Sequence, residues 1–195
     1  MSWSSLTRVA APATTPMTID AARAHLRLAA VADLAPGDAA EAADVAQLLE
    51  AAVGAIDGPT GIGIAMVTQT WRLSLDRLCS RIEIPLGPVQ SISAITYVDA
   101  AGDTQTLAAD QYRLDKDQSP AVLTPAHGVT YPSVRCQPGA VKITFVAGYG
   151  AAAAVPADLV GALKIILRGL FEDPAGDIPK GAARTLDRYR VGLVA

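Results

Sequence analysis

Residues able to do chemistry are few in this chain, and their spacing does not suit it. There are two histidines, His25 and His127. Neither has the flanking pattern of a catalytic triad or of a metalloprotease helix. His25 falls in a helical stretch and His127 in a loop bounded by Pro and Gly, which suits packing or surface roles. The two cysteines, Cys79 and Cys136, have no CxxC spacing and no nearby His pair, which speaks against zinc. They read as free thiols of a reducing compartment, with a disulfide left open. "DKDQSPAVLTPA" gathers acids but lacks the central Gly and the closing Glu of a calcium loop. "AGYGAAAA" offers two glycines without the Lys-Ser/Thr that a phosphate loop needs. The acids are better explained as solvated loop charges. No catalytic residue, cofactor or metal is expected, and the chain does not read as an enzyme.

One cluster does point toward a partner. Lys180, Arg184, Arg188 and Arg190 accompany Tyr189 and the apolar Val191, Leu193 and Val194. Two readings stand side by side. Cations suit the negative end of a helix dipole, so the group is a solvated helix end. Arg and Tyr are also frequent anchors of protein interfaces, so Arg184, Arg188, Tyr189, Arg190, Val191 and Leu193 form a docking tail.

Composition narrows the partners. The chain has 195 residues, enough for one domain or one domain with an insert. Hydrophobic residues make up 51% of it, so a core can be built, although much of that share is alanine. Aromatics are 5%, leaving little to stack on bases or sugars. The formal net charge of -3 argues against tight gripping of phosphates, which needs clustered Lys and Arg. "MSWSSLTRVAAPATTPM" lacks the apolar run of a secretory signal. "VPADLVGALKIILRGLF" is too short and too polar to span a bilayer. A soluble protein with no membrane partner is expected.

The elements that carry these residues follow from periodicity. Residues 1–16 read as an irregular N-terminal arm, rich in Ser, Thr and Pro. A first helix is expected after Thr18, a good N-cap, with Ile19, Ala22 and Leu26 on one face. Pro36-Gly37 breaks the pattern, and Asp38 can cap a second helix. Val45, Leu48, Leu49, Ala52, Val53 and Ile56 then form a full amphipathic stripe that stops at Gly58-Pro59. These two helices fill 17–60.

From 66 to 148 the period is 2. "VTQTWRLSLD" puts Val67, Gln69, Trp71, Leu73 and Leu75 on one face. "RIEIPLGPV", "VQSISAITYVD", "TQTL", "YRLD", "PAVLTP" and "AVKITFVA" extend an antiparallel meander, with Gly102 in a hairpin loop. At 155–195 a third helix starts at "VPADL", with Pro156 in its first turn. Leu159, Leu163, Ile166 and Leu170 make one apolar stripe; Val160, Ile165, Leu167 and Phe171 make a second. A helix so apolar needs cover on several sides, and a neighbouring subunit is expected to supply part of it through Leu163, Ile166 and Leu170. A short last helix and the tail complete an α+β chain. It is expected to be a bundle of about four helices with an antiparallel β insert between the second and third.

In this order the elements resemble the head–tail connector, or adaptor, proteins of tailed bacteriophages and phage-like gene transfer agents. The likeness is carried by "MTIDAARAHLRL", "TQTWRLSLDR", "IEIPLGPVQSISAITYVDAAGDTQTL", "YRLD", "VKITFVAGYG" with "VPADLVGALKIIL", and the final "LDRYR". It spans most of 16–190, and none of these stretches is a catalytic signature. The resemblance implies a structural protein of a virion or virion-like particle at the head–tail interface, made in the bacterial cytoplasm. It implies a homo-oligomeric ring, usually dodecameric, below the portal protein. The ring would join the portal to a stopper or tail protein and line a channel through which DNA passes without sequence-specific binding. The hairpin would then be a contact surface. A ligand- or carbohydrate-binding β module of a particle or cell-surface assembly, using Trp71, Tyr97, Tyr112 and Tyr131, is the competing reading.

Overall fold

The computed structural model describes residues 3–33 and 39–191. Four helices and two antiparallel sheets alternate along the chain: β1 (Trp3–Ala10), α1 (Ile19–Leu26), α2 (Ala39–Gly54), β2 (Gln69–Leu75), β3 (Ile82–Ile84), β4 (Val89–Val98), β5 (Thr104–Thr106), β6 (Tyr112–Asp115), β7 (Ala121–Pro125), β8 (Val141–Ala147), α3 (Ala157–Glu172) and α4 (Lys180–Asp187). The larger sheet has the order β1-β2-β8-β4-β5 and the smaller one β3-β7-β6.

The chain is a mixed α+β protein, as expected, but richer in sheet than a helical bundle with an insert. The first correction concerns residues 3–10. They form strand β1, paired antiparallel with β2 at the edge of the larger sheet, rather than an irregular arm. The physical reason lies in the pairing. Leu6 stands opposite Leu73 while Ser5 and Thr7 stand opposite Ser74 and Arg72, so the alternation becomes meaningful only beside β2. The strands are therefore not confined to the stretch between α2 and α3. The second correction concerns "YRLD" and "PAVLTP". They do not extend one meander but pair with each other and with β3 as a separate sheet.

Several local signals act as chemistry predicts. The Thr18 hydroxyl accepts a hydrogen bond from the Ala21 amide at 3.2 Å and caps α1. In β2 and β8 alternate residues are buried, and Trp71, Leu73, Ile143 and Phe145 lie inside. The β4–β5 loop is tied by Asp99, whose Oδ1 accepts from the amides of Ala101, Gly102 and Asp103 at 3.0 Å each. The Gln105 side chain donates to its other oxygen, and this bond leads the causes that hold the carboxyl below its ordinary range. Gly102, at φ +103°, sits where the loop needs the left-handed region. Asp38 and the break at Pro36-Gly37 lie outside the described residues.

Burial divides into two clusters. One joins the four helices around Leu49, Ile56, Leu159, Leu163 and Leu167; the other fills the space between the sheets around Leu73, Ile84, Ile95, Leu123 and Phe145. Buried Asp57 stands where they meet. Its carboxylate accepts from the Met66 amide at 2.7 Å and from the Gln69 side chain at 2.8 Å, which ties the end of the helical segment to the start of β2.

Candidate interaction surfaces

The basic tail begins on α4, which packs its buried Ala182 and Leu186 against α3. The chain then runs back along the first turn of α3. Asp158 sits in that turn, where the helix dipole favours a carboxylate. The Tyr189 hydroxyl lies 2.7 Å from each of its oxygens, and Arg188 reaches it at 3.6 Å. The tyrosine hydrogen bond is the largest influence holding the Asp158 carboxyl below its usual range, and the same bond pushes the Tyr189 phenol upward. Two residues on, Val191 is buried, and its amide donates to the Ile62 carbonyl at 2.9 Å. It closes on Gly63, which has φ +76°; a Cβ there would stand 3.0 Å from the Val191 carbonyl oxygen, so this closure requires glycine.

The tail residues therefore fall into three groups. Arg184, Arg188 and Arg190 are exposed, and Arg190 pairs with Asp187 at 3.6 Å. Tyr189 and Val191 are engaged by their own chain. Leu193 and Val194 lie outside the described residues.

On α3 the expected interface residues are also partly spoken for. Leu163 and Ile166 are buried among the chain's own helices, and Leu170 is half-buried against the same cluster. The apolar side chains that α3 leaves in solvent are Ile165 and Phe171, at 43% and 42% exposure, followed by Ile178 in the next loop. Between them, Arg168 and Glu172 pair at 2.7 Å one helical turn apart.

The residues of the competing β-module reading do not form an open platform. Trp71 is buried, with the Arg8 guanidinium 5.9 Å from its ring centroid. Tyr97, Tyr112 and Tyr131 pack against the core between the sheets. Burial pushes the Tyr131 hydroxyl up to about 12, with a smaller contribution from Tyr112. His25 turns to the Lys164 carbonyl at 3.1 Å, a packing contact between α1 and α3. Cys79 and Cys136 are both free. Among the described residues no group of three His, Cys, Asp or Glu side chains is placed to hold a metal ion. No described helix is long and apolar enough to cross a membrane.

Sequence reasoning missed the Asp158–Tyr189 latch, because its residues are 31 positions apart. It also missed buried Arg23, since nothing in an α1 stripe marks an inward arginine. Its Nη2 lies 3.3 Å from Glu41 and its Nε donates to the Ala29 carbonyl.

No family model and no curated protein matches the chain. Solved structures do. A chain in the neck of an empty gene transfer agent (GTA) particle, computed with C6 symmetry, is 31% identical, with a TM-score of 0.78 over 98% of this chain and 97% of that one. A chain of the virion of a native GTA particle is 30% identical, with a TM-score of 0.71 over 97% of each. A chain in the neck of a native GTA particle, computed with C12 symmetry, is 26% identical, with a TM-score of 0.69 over 98% of this chain and 97% of that one.

Proposed function

We propose that this chain, which belongs to the same family as the GTA neck chain it matches, is a structural ring component of a particle neck: the adaptor between portal and tail. The observation that carries the reading is the 31% identity, sustained with a TM-score of 0.78 across nearly all of both chains. The C6 and C12 symmetries of the matched necks support a ring of copies. In a closed ring each neighbour contact joins two different patches of the same chain.

In this reading, Ile165, Phe171 and Ile178 form part of the apolar contact with a neighbouring copy, because their burial is left unfinished within one chain. Leu163 and Ile166 hold α3 in the bundle behind them, and Leu170 lies between the two roles. Arg184, Arg188 and Arg190 face the portal. Tyr189 and Val191 fix the strap that presents them, and Leu193, outside the described residues, belongs to the same docking tail. The β4–β5 hairpin is a further contact toward capsid or tail.

Deleting the gene in particle-producing cells and imaging the particles tests the reading. Heads separated from tails, with no neck ring, are expected; intact necks would overturn it. Portal docking is tested by charge reversal at Arg184 and Arg190. Truncation from 180 would strip buried Ala182, Leu186 and Val191 from the core and confound the result.

A further inference from the structure

The outer face of the larger sheet has a composition unlike the rest of the molecule. The five strands carry three cations, Arg8, Arg72 and Lys142, and no Asp or Glu. All 19 acids of a chain with net charge -3 lie elsewhere. Register defines the rows of the outer face. Thr7, Arg72, Thr144 and Ala94 form one; Ser5, Ser74, Lys142, Thr96 and Thr106 form the next. None of these residues is buried. Two cations thus stand on a field of hydroxyls, and its large apolar neighbours, Val146 and Val98, stand in the flanking rows.

Arg72 and Lys142 are diagonal neighbours, because Arg72 stands opposite Thr144 and Lys142 opposite Ser74. At that spacing long side chains interact, and like charges repel unless an anion lies between them. Elsewhere Arg23, Arg81, Arg168, Arg188 and Arg190 each pair with a carboxylate. Arg72 and Lys142 form no ion pair among the described residues. Beside Lys142 the surface dips into a shallow depression of about 450 Å³, where Ser5, Ser74, Thr96 and Thr104 meet the apolar Val98 and Pro138.

We infer that this face is a contact surface for the phosphodiester backbone of nucleic acid, with Arg72 and Lys142 as its charged contacts and the Ser and Thr hydroxyls as neutral donors. The inference rests on the neck reading, in which a polyanion passes the ring, and it names the side of the subunit turned to that passage. Phosphate and sugar contacts come from Lys, Arg, Ser and Thr and read no sequence. A protein interface core would instead call for aromatic and large aliphatic side chains; the two central rows have none, Ala94 being their one apolar residue. Two cations per copy, repeated around a ring, attract DNA without holding it at one place.

The test uses the full chain, a fluorescent duplex DNA of mixed sequence and anisotropy over a range of salt. Binding at low salt is expected. In Arg72→Ala/Lys142→Ala the dependence of log affinity on log salt should flatten by roughly 2, about 0.9 for each phosphate no longer neutralised. The melting temperature should stay unchanged, and Arg184→Ala/Arg190→Ala should keep the wild-type slope. An unchanged slope in the sheet variant, or no binding by the wild type at low salt, overturns the inference. If polyglutamate of equal charge competes as well as unlabelled DNA, the face fits an acidic protein surface and the nucleic-acid assignment fails. Neck assembly is scored separately by imaging particles that carry the sheet variant. Normal necks with unaltered DNA binding would sink this inference and leave the adaptor role standing, whereas necks that never contain the wild-type chain would sink the adaptor role.

Discussion

The helical cluster and the larger sheet finish different tasks. Of the six large apolar side chains exposed among the described residues, only Val9 belongs to a strand; Ile19, Ile165 and Phe171 lie on helices, and Val31 and Ile178 in segments between them. The sheet buries its apolar residues on one face and turns hydroxyls outward. On that outer face Arg72 and Lys142 form no ion pair among the described residues. One half is incomplete in burial and the other in charge. An incomplete apolar face seeks a protein, while an incomplete cationic face seeks an anion. On the proposed adaptor role, a chain in a ring around a polyanion needs both.

Core substitutions test whether both halves are finished inside, and carry the largest effects. Phe145→Ala should cost about 3–5 kcal/mol and Leu163→Ala about 2–5 kcal/mol in urea unfolding, since both sites are closed to solvent. A cost below about 1 kcal/mol for Leu163→Ala would show that α3 is not core, and the contrast would collapse. Next comes the junction. Asp57→Ala leaves the Met66 amide and the Gln69 side chain without their acceptor and should cost about 1–3 kcal/mol. Coincident unfolding of the two halves in the wild type, followed by separate transitions in this variant, would show that Asp57 couples them.

Smaller effects sharpen the difference. Ile165→Ser/Phe171→Ser should move stability of the isolated chain by no more than about 0.5 kcal/mol per site, yet keep the chain out of particle necks. Normal incorporation would place the neighbour contact elsewhere. The latch on α3 should respond to acid. Because the folded Asp158 carboxyl titrates below its ordinary value of 3.8, its contribution is intact above that value and fades as pH falls through the lower, folded one. Faster hydrogen exchange of the Val191 amide at low pH, with β8 still protected, is the expected signature. At the alkaline end the sheet side yields. Tyr131 ionises near 10 when unfolded but at about 12 when folded, so its share of stability is whole below 10 and is lost as pH rises toward 12. Tyr131→Phe should abolish that component of an alkaline melt.

Elements whose signal is local were legible in the residues. The α2 stripe, the alternation of β2 and β8 and the Thr18 cap each need only a few neighbours. What stayed hidden depends on distant pairing. Residues 3–10 become a strand only opposite 69–75, and β3, β6 and β7 separate from the larger sheet only through their mutual register. The tail's arginines were visible, but their strap was not, because its anchor Asp158 belongs to another helix. Arg72 and Lys142 looked like scattered charges until β2 and β8 were set side by side. The absence of acids from five strands is written in the residues, but it carries meaning only once those strands share one surface.

The position of β1 has a consequence for how the protein is made. Its partner, Gln69–Leu75, is synthesised well after Ala10. At about 5–20 residues per second, translation leaves the early strand waiting on the order of 3–12 s for its template. During that interval α1 and α2 emerge and can start to fold, while the future sheet edge stays single. Chaperone demand on the nascent chain should peak there and fall once Leu75 clears the ribosome.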